Sequence, residues 1–134
     1  MVANGFVLVA EFPVSPTKLY RAWLSSKSHA AMSGSPANID PRPGGKFEAW
    51  DGYISGTTLE LDEGKRIVQA WRTVEFPEAA SDSRLELVFE KAGAATRLTL
   101  THSGLPKDQV DDYRQGWEDS YFKPMRRYLG RKKS

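Results

Sequence analysis

The residues from Lys107 to Leu129 form the only long run of this sequence with sustained helical periodicity. Large apolar side chains recur there at steps of three or four residues, which places them on one stripe of an α-helix: Val110, Tyr113, Trp117, Tyr121, Met125 and Tyr128. A single amphipathic helix must bury its stripe against another element, and the rest of the chain offers strands. The aromatic residues and the Met of the stripe suit either plain core packing or the wall of a ligand pocket, and both interpretations stay open.

The other periodic segments predict short strands, interrupted early by two short helices. Ser15-Pro16 has the pattern of an N-cap followed by Pro at the first helical position, and Gly34 is expected to end the second helix after Met32. Alternating apolar residues predict strands over residues 5–12, 46–50, 53–61, 66–74, 84–90 and 96–102, with a brief extended piece near 37–39. Because helices do not alternate with strands, this order predicts an α+β fold. We expect a curved antiparallel sheet wrapped around the long C-terminal helix, with the two short helices between the first two strands.

Three local features refine this prediction. Asp51-Gly52 is typical of a two-residue hairpin turn. Gly116 lies inside the predicted long helix, where a missing side chain lets the helix approach the sheet closely. Pro124 lacks the N–H that would bond the carbonyl of Ser120, which predicts a kink between these two residues.

A chain of 134 residues with 40% hydrophobic residues fits one domain with its own core. The net charge of +2 argues against a nucleic-acid partner. The basic residues at the C-terminus fit a solvated tail from about residue 130, or weak binding to an acidic partner: Arg126, Arg127, Arg131, Lys132 and Lys133. The absence of Cys excludes disulfides, no apolar run reaches the ~20 residues of a membrane span, and no signal-peptide pattern is found. We therefore expect a cytoplasmic protein, and a monomer.

Patterns typical of catalysis or metal binding are not found. The two histidines, His29 and His102, have no carboxylate at metal-ligand spacing, so we expect no metal and no cofactor. No serine lies in a nucleophile elbow, and Gly44-Gly45 precedes a strand rather than a phosphate-binding helix. His102 shares its strand face with Leu98 and Leu100, so it is expected to point toward the mouth of any cavity. There it is either satisfied by a backbone or hydroxyl partner or orients a ligand. Acid–base catalysis would need a second group that the sequence does not identify.

Short motifs along nearly the whole chain resemble one known family. They occur in this order: Ser15-Pro16 with Leu19-Tyr20 and Trp23, Arg42-Pro43-Gly44-Gly45-Lys46-Phe47, Asp51-Gly52 with Ser55-Gly56, Ile67-Val68 with Trp71-Arg72, Thr96-Arg97-Leu98-Thr99-Leu100 with Gly104-Leu105-Pro106, and Gln115-Gly116-Trp117 with Tyr121-Phe122. Their order and spacing are similar to the START-like (SRPBCC) helix-grip superfamily. More narrowly, they resemble the AHSA-like domain, found in activators of the ninety-kilodalton heat-shock protein's ATPase and in small stand-alone bacterial relatives. The co-chaperones also carry a separate N-terminal domain, which has no counterpart in these 134 residues.

The resemblance implies a cavity between the sheet and the last helix, because aromatic residues of a helix-grip fold often face such a cavity or its rim. The ligand-binding candidates are Trp50, Tyr53, Gln69, Trp71, Leu87, Phe89, Leu100, His102, Tyr113, Trp117 and Tyr121. Gln69 alternates in phase with Trp71, so it is either a ligand contact on the inner face or an exposed residue of the outer face.

Three functions follow from the resemblance, in this order. The first is a binding module that holds a small apolar or aromatic molecule between the sheet and the C-terminal helix. The second is a co-chaperone-like domain that binds or stimulates a heat-shock chaperone ATPase. The third is a cyclase-like or aromatase-like enzyme, which is disfavoured because the sequence offers no acid–base pair.

Overall fold

The computed structural model describes the backbone of residues 4–133 and the side chains of residues 4–130. The elements are, in chain order, β1 (Phe6–Phe12), α1 (Pro16–Leu24), α2 (Ser26–Ser33), β2 (Ala37–Ile39), β3 (Lys46–Ala49), β4 (Ile54–Asp62), β5 (Arg66–Thr73), β6 (Ser83–Ala92), β7 (Ala95–Ser103), a 3₁₀ turn (Lys107–Gln109), α3 (Val110–Gly116), a π-helical segment (Trp117–Phe122) and α4 (Lys123–Lys133). The last four segments follow one another directly, and together they are called the C-terminal helix.

The strands form one antiparallel sheet with the order β1-β7-β6-β5-β4-β3-β2. Its inner face buries alternate residues of β6 and β7, among them Leu85, Leu87, Leu98 and Leu100. The stripe of the C-terminal helix packs in the same core, and the predicted α+β helix-grip architecture is confirmed.

The two short helices begin and end at the residues that the sequence indicates. The Ser15 hydroxyl accepts the N–H of Lys18 at 3.2 Å and caps α1, which starts at Pro16. Ser25 caps α2, and Gly34 ends it in the left-handed region with φ of 81°.

The hairpin between β3 and β4 differs from the predicted two-residue loop. Asp51 and Gly52 are the central residues of a tight turn, with φ of 56° and 87°, and the Tyr53 N–H bonds the Trp50 carbonyl at 3.1 Å. Trp50 itself is also left-handed, with φ of 53°. This conformation takes Trp50 out of the ladder, so β3 ends one residue before the predicted Trp50 and β4 begins one residue after the predicted Tyr53.

The C-terminal helix is irregular in its middle. From Trp117 to Phe122 it is π-helical, and the Lys123 N–H bonds the carbonyl of Glu118, five residues back rather than four. The irregularity therefore starts one turn before the predicted kink at Ser120 to Pro124. The helical backbone reaches Lys133, past the predicted end at Leu129. The side chains of the predicted basic tail lie outside the described residues: Arg131, Lys132 and Lys133.

Candidate functional site

A cavity of about 380 Å³ lies beneath the C-terminal helix, against the β3–β4 hairpin and the end of β5. Its walls combine aromatic rings, carboxylates and neutral polar groups: Trp50, Tyr53, Ile54, Trp71, Glu75, Gln109, Asp112, Tyr113, Gly116, Trp117, Ser120 and Tyr121. Glu75 and Asp112 are exposed, whereas Trp71, Trp117 and Tyr121 are buried. The cavity thus opens to solvent on its carboxylate side and ends against aromatic rings.

Six of the eleven predicted candidates line this cavity: Trp50, Tyr53, Trp71, Tyr113, Trp117 and Tyr121. The other five, which are Gln69, Leu87, Phe89, Leu100 and His102, are buried in the core and are not part of its lining. Gln69 is on the inner face, but its amide is engaged by Trp23 at 3.4 Å and Thr58 at 3.2 Å. Ligand binding by the lining residues stays a prediction.

Sequence reasoning missed the polar lining residues Glu75, Gln109, Asp112 and Ser120. Glu75 follows β5 in a segment without periodicity, so no pattern marks it. Gln109 could have been predicted from the sequence, because it precedes Tyr113 by four residues and therefore shares its helix face.

A closed ring of hydrogen bonds forms the rim of the cavity mouth, joining the end of β5 to the start of the C-terminal helix. The Glu75 N–H donates to the Thr73 hydroxyl at 3.1 Å, and that hydroxyl donates to the Tyr113 oxygen at 2.6 Å. Tyr113 then donates to the Gln109 side-chain carbonyl at 2.7 Å, and the Gln109 amide returns to the Glu75 carbonyl at 2.9 Å. Since every donor has one acceptor, this rim is held in one arrangement.

The two tyrosines at the mouth are protonated hydrogen-bond donors. Burial raises the pKa of the Tyr53 hydroxyl, and its hydrogen bond to the Glu75 carboxylate raises it further. Burial also raises the pKa of the Tyr113 hydroxyl. Neither phenol can act as a base near neutral pH, so both serve to position neighbouring groups.

At the floor of the cavity, Tyr121 is held by His29, a residue for which the sequence predicted no role. His29 Nδ1 lies 2.9 Å from the Trp23 carbonyl, which only accepts, so Nδ1 carries the proton. His29 Nε2 must then accept the Tyr121 hydroxyl proton across 2.7 Å. Burial lowers the pKa of His29 to about 4, although the bond to the Trp23 carbonyl acts in the opposite direction. His29 is therefore neutral at pH 7 and fixes the Tyr121 ring.

One donor at the cavity wall has no acceptor in the described part of the chain. The Trp50 indole N–H is buried and makes no hydrogen bond there. It lies near the Tyr121 hydroxyl and favours the ionised form of that group, yet burial dominates and raises the Tyr121 pKa far above its usual value. A buried donor without a partner is costly, and a ligand acceptor would relieve this cost.

His102 is satisfied within the core and does not reach the mouth. The Trp117 indole N–H donates to its Nδ1 at 3.1 Å, so Nε2 carries the proton and donates to Ser83 Oγ at 2.8 Å. The Ser83 hydroxyl in turn donates a hydrogen bond to the Trp71 carbonyl at 2.8 Å. Burial lowers the pKa of His102 to about 3, so it stays neutral. This chain of bonds ties Trp117 by its edge and leaves its ring face to the cavity.

The cavity carries no arrangement for metal chemistry in the described residues. No group of three or more His, Asp or Glu side chains is placed to hold a metal ion among them. Within the same residues, no helix is long and apolar enough to cross a membrane.

A curved antiparallel sheet that grips a C-terminal helix, with an aromatic cavity between them, defines a START-like helix-grip protein. The chain belongs to the family described as "Activator of Hsp90 ATPase homolog 1-like protein", whose family model matches residues 13–130.

Curated relatives include activators of the 90 kDa heat shock protein ATPase. The human homolog 1 is 32% identical over 119 residues, which are 89% of this chain and 35% of the human protein. A Dictyostelium discoideum homolog is 28% identical over 112 residues, or 83% of this chain and 29% of that protein. The chain thus spans about a third of the length of the curated relatives it matches.

Solved structures share the fold. An Hsp90 activator from Plasmodium falciparum superposes with a TM-score of 0.84 at 27% identity, covering 93% of this chain and 95% of the other. CalU16 from Micromonospora echinospora superposes with a TM-score of 0.77 at 21% identity, covering 94% of this chain and 76% of the other, and supports the fold alone.

Proposed function

We propose that this chain is a ligand-binding module, which holds a small apolar or aromatic molecule between its sheet and its C-terminal helix. The observation that carries the proposal is the cavity of about 380 Å³ with aromatic rings on facing walls. Its volume falls within the range of roughly 300–1,000 Å³ that small-molecule sites occupy.

The contacts around the cavity support a preformed site. Trp117 and Tyr121 are each fixed from behind by a neutral histidine, so their rings need no ordering when a ligand binds. The Trp50 N–H supplies one unpaired donor to a wall that is otherwise mainly apolar. Such a site favours a planar aromatic ligand, whose π face can accept the Trp50 N–H.

Gly116 provides the test. It lines the cavity, and a Cβ placed there would meet no heavy atom within 4 Å, so the predicted close approach of the helix to the sheet at Gly116 is not found. The Cβ of Gly116→Leu should therefore be accommodated and the rest of its side chain should occupy the cavity, while helix propensity improves by about 0.8 kcal/mol. We expect the fluorescence of 1-aminoanthracene to rise when the dye binds to the natural chain. The affinity of the dye for the Gly116→Leu chain should be at least about tenfold lower.

Gly130→Leu is the matched control. Gly130 lies in the same helix, also has open space around it and does not line the cavity. It should bind the dye as the natural chain does. Absence of dye binding to the natural chain, or equal binding to Gly116→Leu, would contradict the proposal.

A second candidate function is the binding or stimulation of an Hsp90-type chaperone ATPase. It is favoured by the 32% identity to the human activator and by the TM-score of 0.84 with the Plasmodium activator. The test is ATP hydrolysis by a purified Hsp90 with and without this chain, together with capture of the complex. We expect a faster rate in its presence. An unchanged rate without a complex would remove this candidate.

The Gly116→Leu chain separates the two functions. If chaperone stimulation uses the outer surface, this variant retains it while losing the dye. If a chaperone segment enters the cavity, both activities are lost together.

A cytoplasmic location and a monomeric state belong to the same proposal. The cysteine-free sequence fits a reducing compartment. Light scattering during size-exclusion chromatography should give a mass near 15.0 kDa, and twice that mass would contradict a monomer. Imaging of the tagged protein in its host tests the location.

A further inference from the structure

The charged groups at the cavity are all of one sign. Among its lining residues, Glu75 and Asp112 carry carboxylates, and none is Lys, Arg or His. This polarity is local, because the whole chain has a net charge of +2. The mouth therefore attracts cations and repels anions at close range.

These carboxylates are not used by the fold as ion pairs. The ion pairs of the described residues involve other acids, among them Glu60, Glu86 and Asp119. Neither Glu75 nor Asp112 belongs to any of them. Glu75 accepts the neutral Tyr53 hydroxyl, so no cationic side chain among the described ion pairs neutralises either carboxylate.

The closed ring of hydrogen bonds holds both carboxylates on the same rim. Gln109 and the Thr73–Tyr113 pair bind the backbone at Glu75 to the start of α3. Asp112 immediately precedes Tyr113, so it is fixed on the helical side of this hydrogen-bonded rim. The Tyr53 hydroxyl donates to the Glu75 carboxylate and restrains it from the hairpin side.

The walls behind the rim suit a cation as well as a ring. Trp50, Trp71 and Trp117 all line the cavity, and indole faces attract ammonium groups through their quadrupole. A carboxylate-bearing ligand such as a fatty acid would meet repulsion at the mouth and find no counter-ion inside.

We propose that the cavity selects a cationic amphiphile, namely a ring-bearing amine whose ring lies among the tryptophans and whose ammonium group lies between Glu75 and Asp112. This inference rests on the proposed binding function and names its ligand class. The ammonium group stays at the solvated mouth, so only the apolar part of the ligand loses its water.

Three compounds that share the indole ring system but differ in charge test the inference. Tryptamine is cationic, tryptophol is neutral and indole-3-acetate is anionic. Each competes with bound 1-aminoanthracene, and the displacement curve gives its affinity. We expect tryptamine to bind about tenfold more tightly than indole-3-acetate, with tryptophol between them and the difference shrinking as salt is added.

Variants with neutral side chains at the rim test whether the two carboxylates cause the preference for tryptamine. The doubly substituted chain with Glu75→Gln and Asp112→Asn should bind the three indoles within about twofold of one another. Asp111→Asn is the matched control, because Asp111 is the exposed neighbour of Asp112 and does not line the cavity. It should keep the tenfold preference.

The outcomes separate this inference from the binding function. Suppose that the natural chain binds the dye and Gly116→Leu does not. If the indoles then show no preference for tryptamine, or none of them displaces the dye, the charge selection is overturned and the binding module remains. A preference that survives in the doubly neutral chain likewise overturns the assignment to Glu75 and Asp112. Absence of dye binding to the natural chain removes both.

Discussion

His29 and His102 are each held in one neutral tautomer by two hydrogen bonds. Neither has a carboxylate partner, so burial dominates the protonation of both and is opposed only at His29, by the bond to the Trp23 carbonyl. Both stand behind an aromatic residue that lines the cavity, Tyr121 for His29 and Trp117 for His102. Protonating His102 would place a donor against the Trp117 indole N–H, which can only donate, and protonating His29 would force the Tyr121 hydroxyl to turn and accept.

These histidines predict an acid-sensitive fold. The unfolded chain protonates each near pH 6.5, whereas the folded chain holds His29 neutral down to about pH 4 and His102 down to about pH 3. Because the unfolded state binds more protons, stability is complete above pH 6.5 and falls as the pH decreases. Between pH 7 and pH 5 each histidine should remove about 2 kcal/mol from the free energy of unfolding, measured in urea.

Replacement of one histidine isolates its share. His29→Gln retains a neutral polar side chain but cannot take up the proton. It should lower stability at pH 7 and should lose about half of the pH dependence between pH 7 and pH 5. An unchanged pH dependence in this variant would mean that folded His29 already carries a charge.

Gly56 shows how closely the elements of the hairpin sheet approach one another. A Cβ at this position in β4 would lie 1.9 Å from the Ala70 carbonyl oxygen and 2.6 Å from the Phe47 ring. The backbone of β5 and the core ring are both in the way, so no side chain fits. The glycine of the Ser55-Gly56 motif is therefore required by the close packing of β5 and Phe47 against β4.

Two identical substitutions should have opposite effects on stability. Gly56→Ala should destabilise the fold by about 3 kcal/mol or more, because backbone of β5 must move. Gly116→Ala meets open space inside a helix and should stabilise by up to about 1 kcal/mol. Urea unfolding of the two variants measures both values, and a shift of the same sign in both would refute this account of the packing.

At the scale of the whole molecule, the architecture follows from periodicity and capping. Alternation placed Leu98, Leu100 and His102 on the inner face, and Ser15 and Gly34 bounded the short helices. The cavity does not follow in the same way. Alternation identifies an inner face but not which part of it the helix covers closely, so Leu100 and His102 became core.

The rim could not be predicted because it is built from distant, aperiodic contacts. Glu75 and Gln109 meet across 34 residues of sequence, through a backbone carbonyl that any residue type would provide. Asp112 lies within the predicted C-terminal helix, off its apolar stripe, and no sequence pattern marks it. Only the tertiary packing shows that it shares a rim with Glu75.

The π-helical segment can also be read as an insertion. Beside Phe122, the buried residues of the C-terminal helix lie four positions apart: Tyr113, Trp117, Tyr121, Met125 and Leu129. An α-helix repeats every 3.6 residues, so four such steps exceed four turns by about 1.6 residues, of which the wide turns absorb about one. A chain that lacks Ser120 should therefore straighten while keeping Met125 and Leu129 in phase with the core.

That deletion separates what the architecture needs from what the cavity needs. Without Ser120 the chain should stay within about 1 kcal/mol of its original stability, yet lose 1-aminoanthracene, because Ser120 and Tyr121 form part of the cavity wall. Deleting Arg126 instead turns Leu129 by about 100° and should cost about 2 kcal/mol or more. If both deletions lowered the free energy of unfolding equally, the surplus residue would be required for the fold. If only the deletion of Arg126 lowers it, the surplus residue serves the cavity.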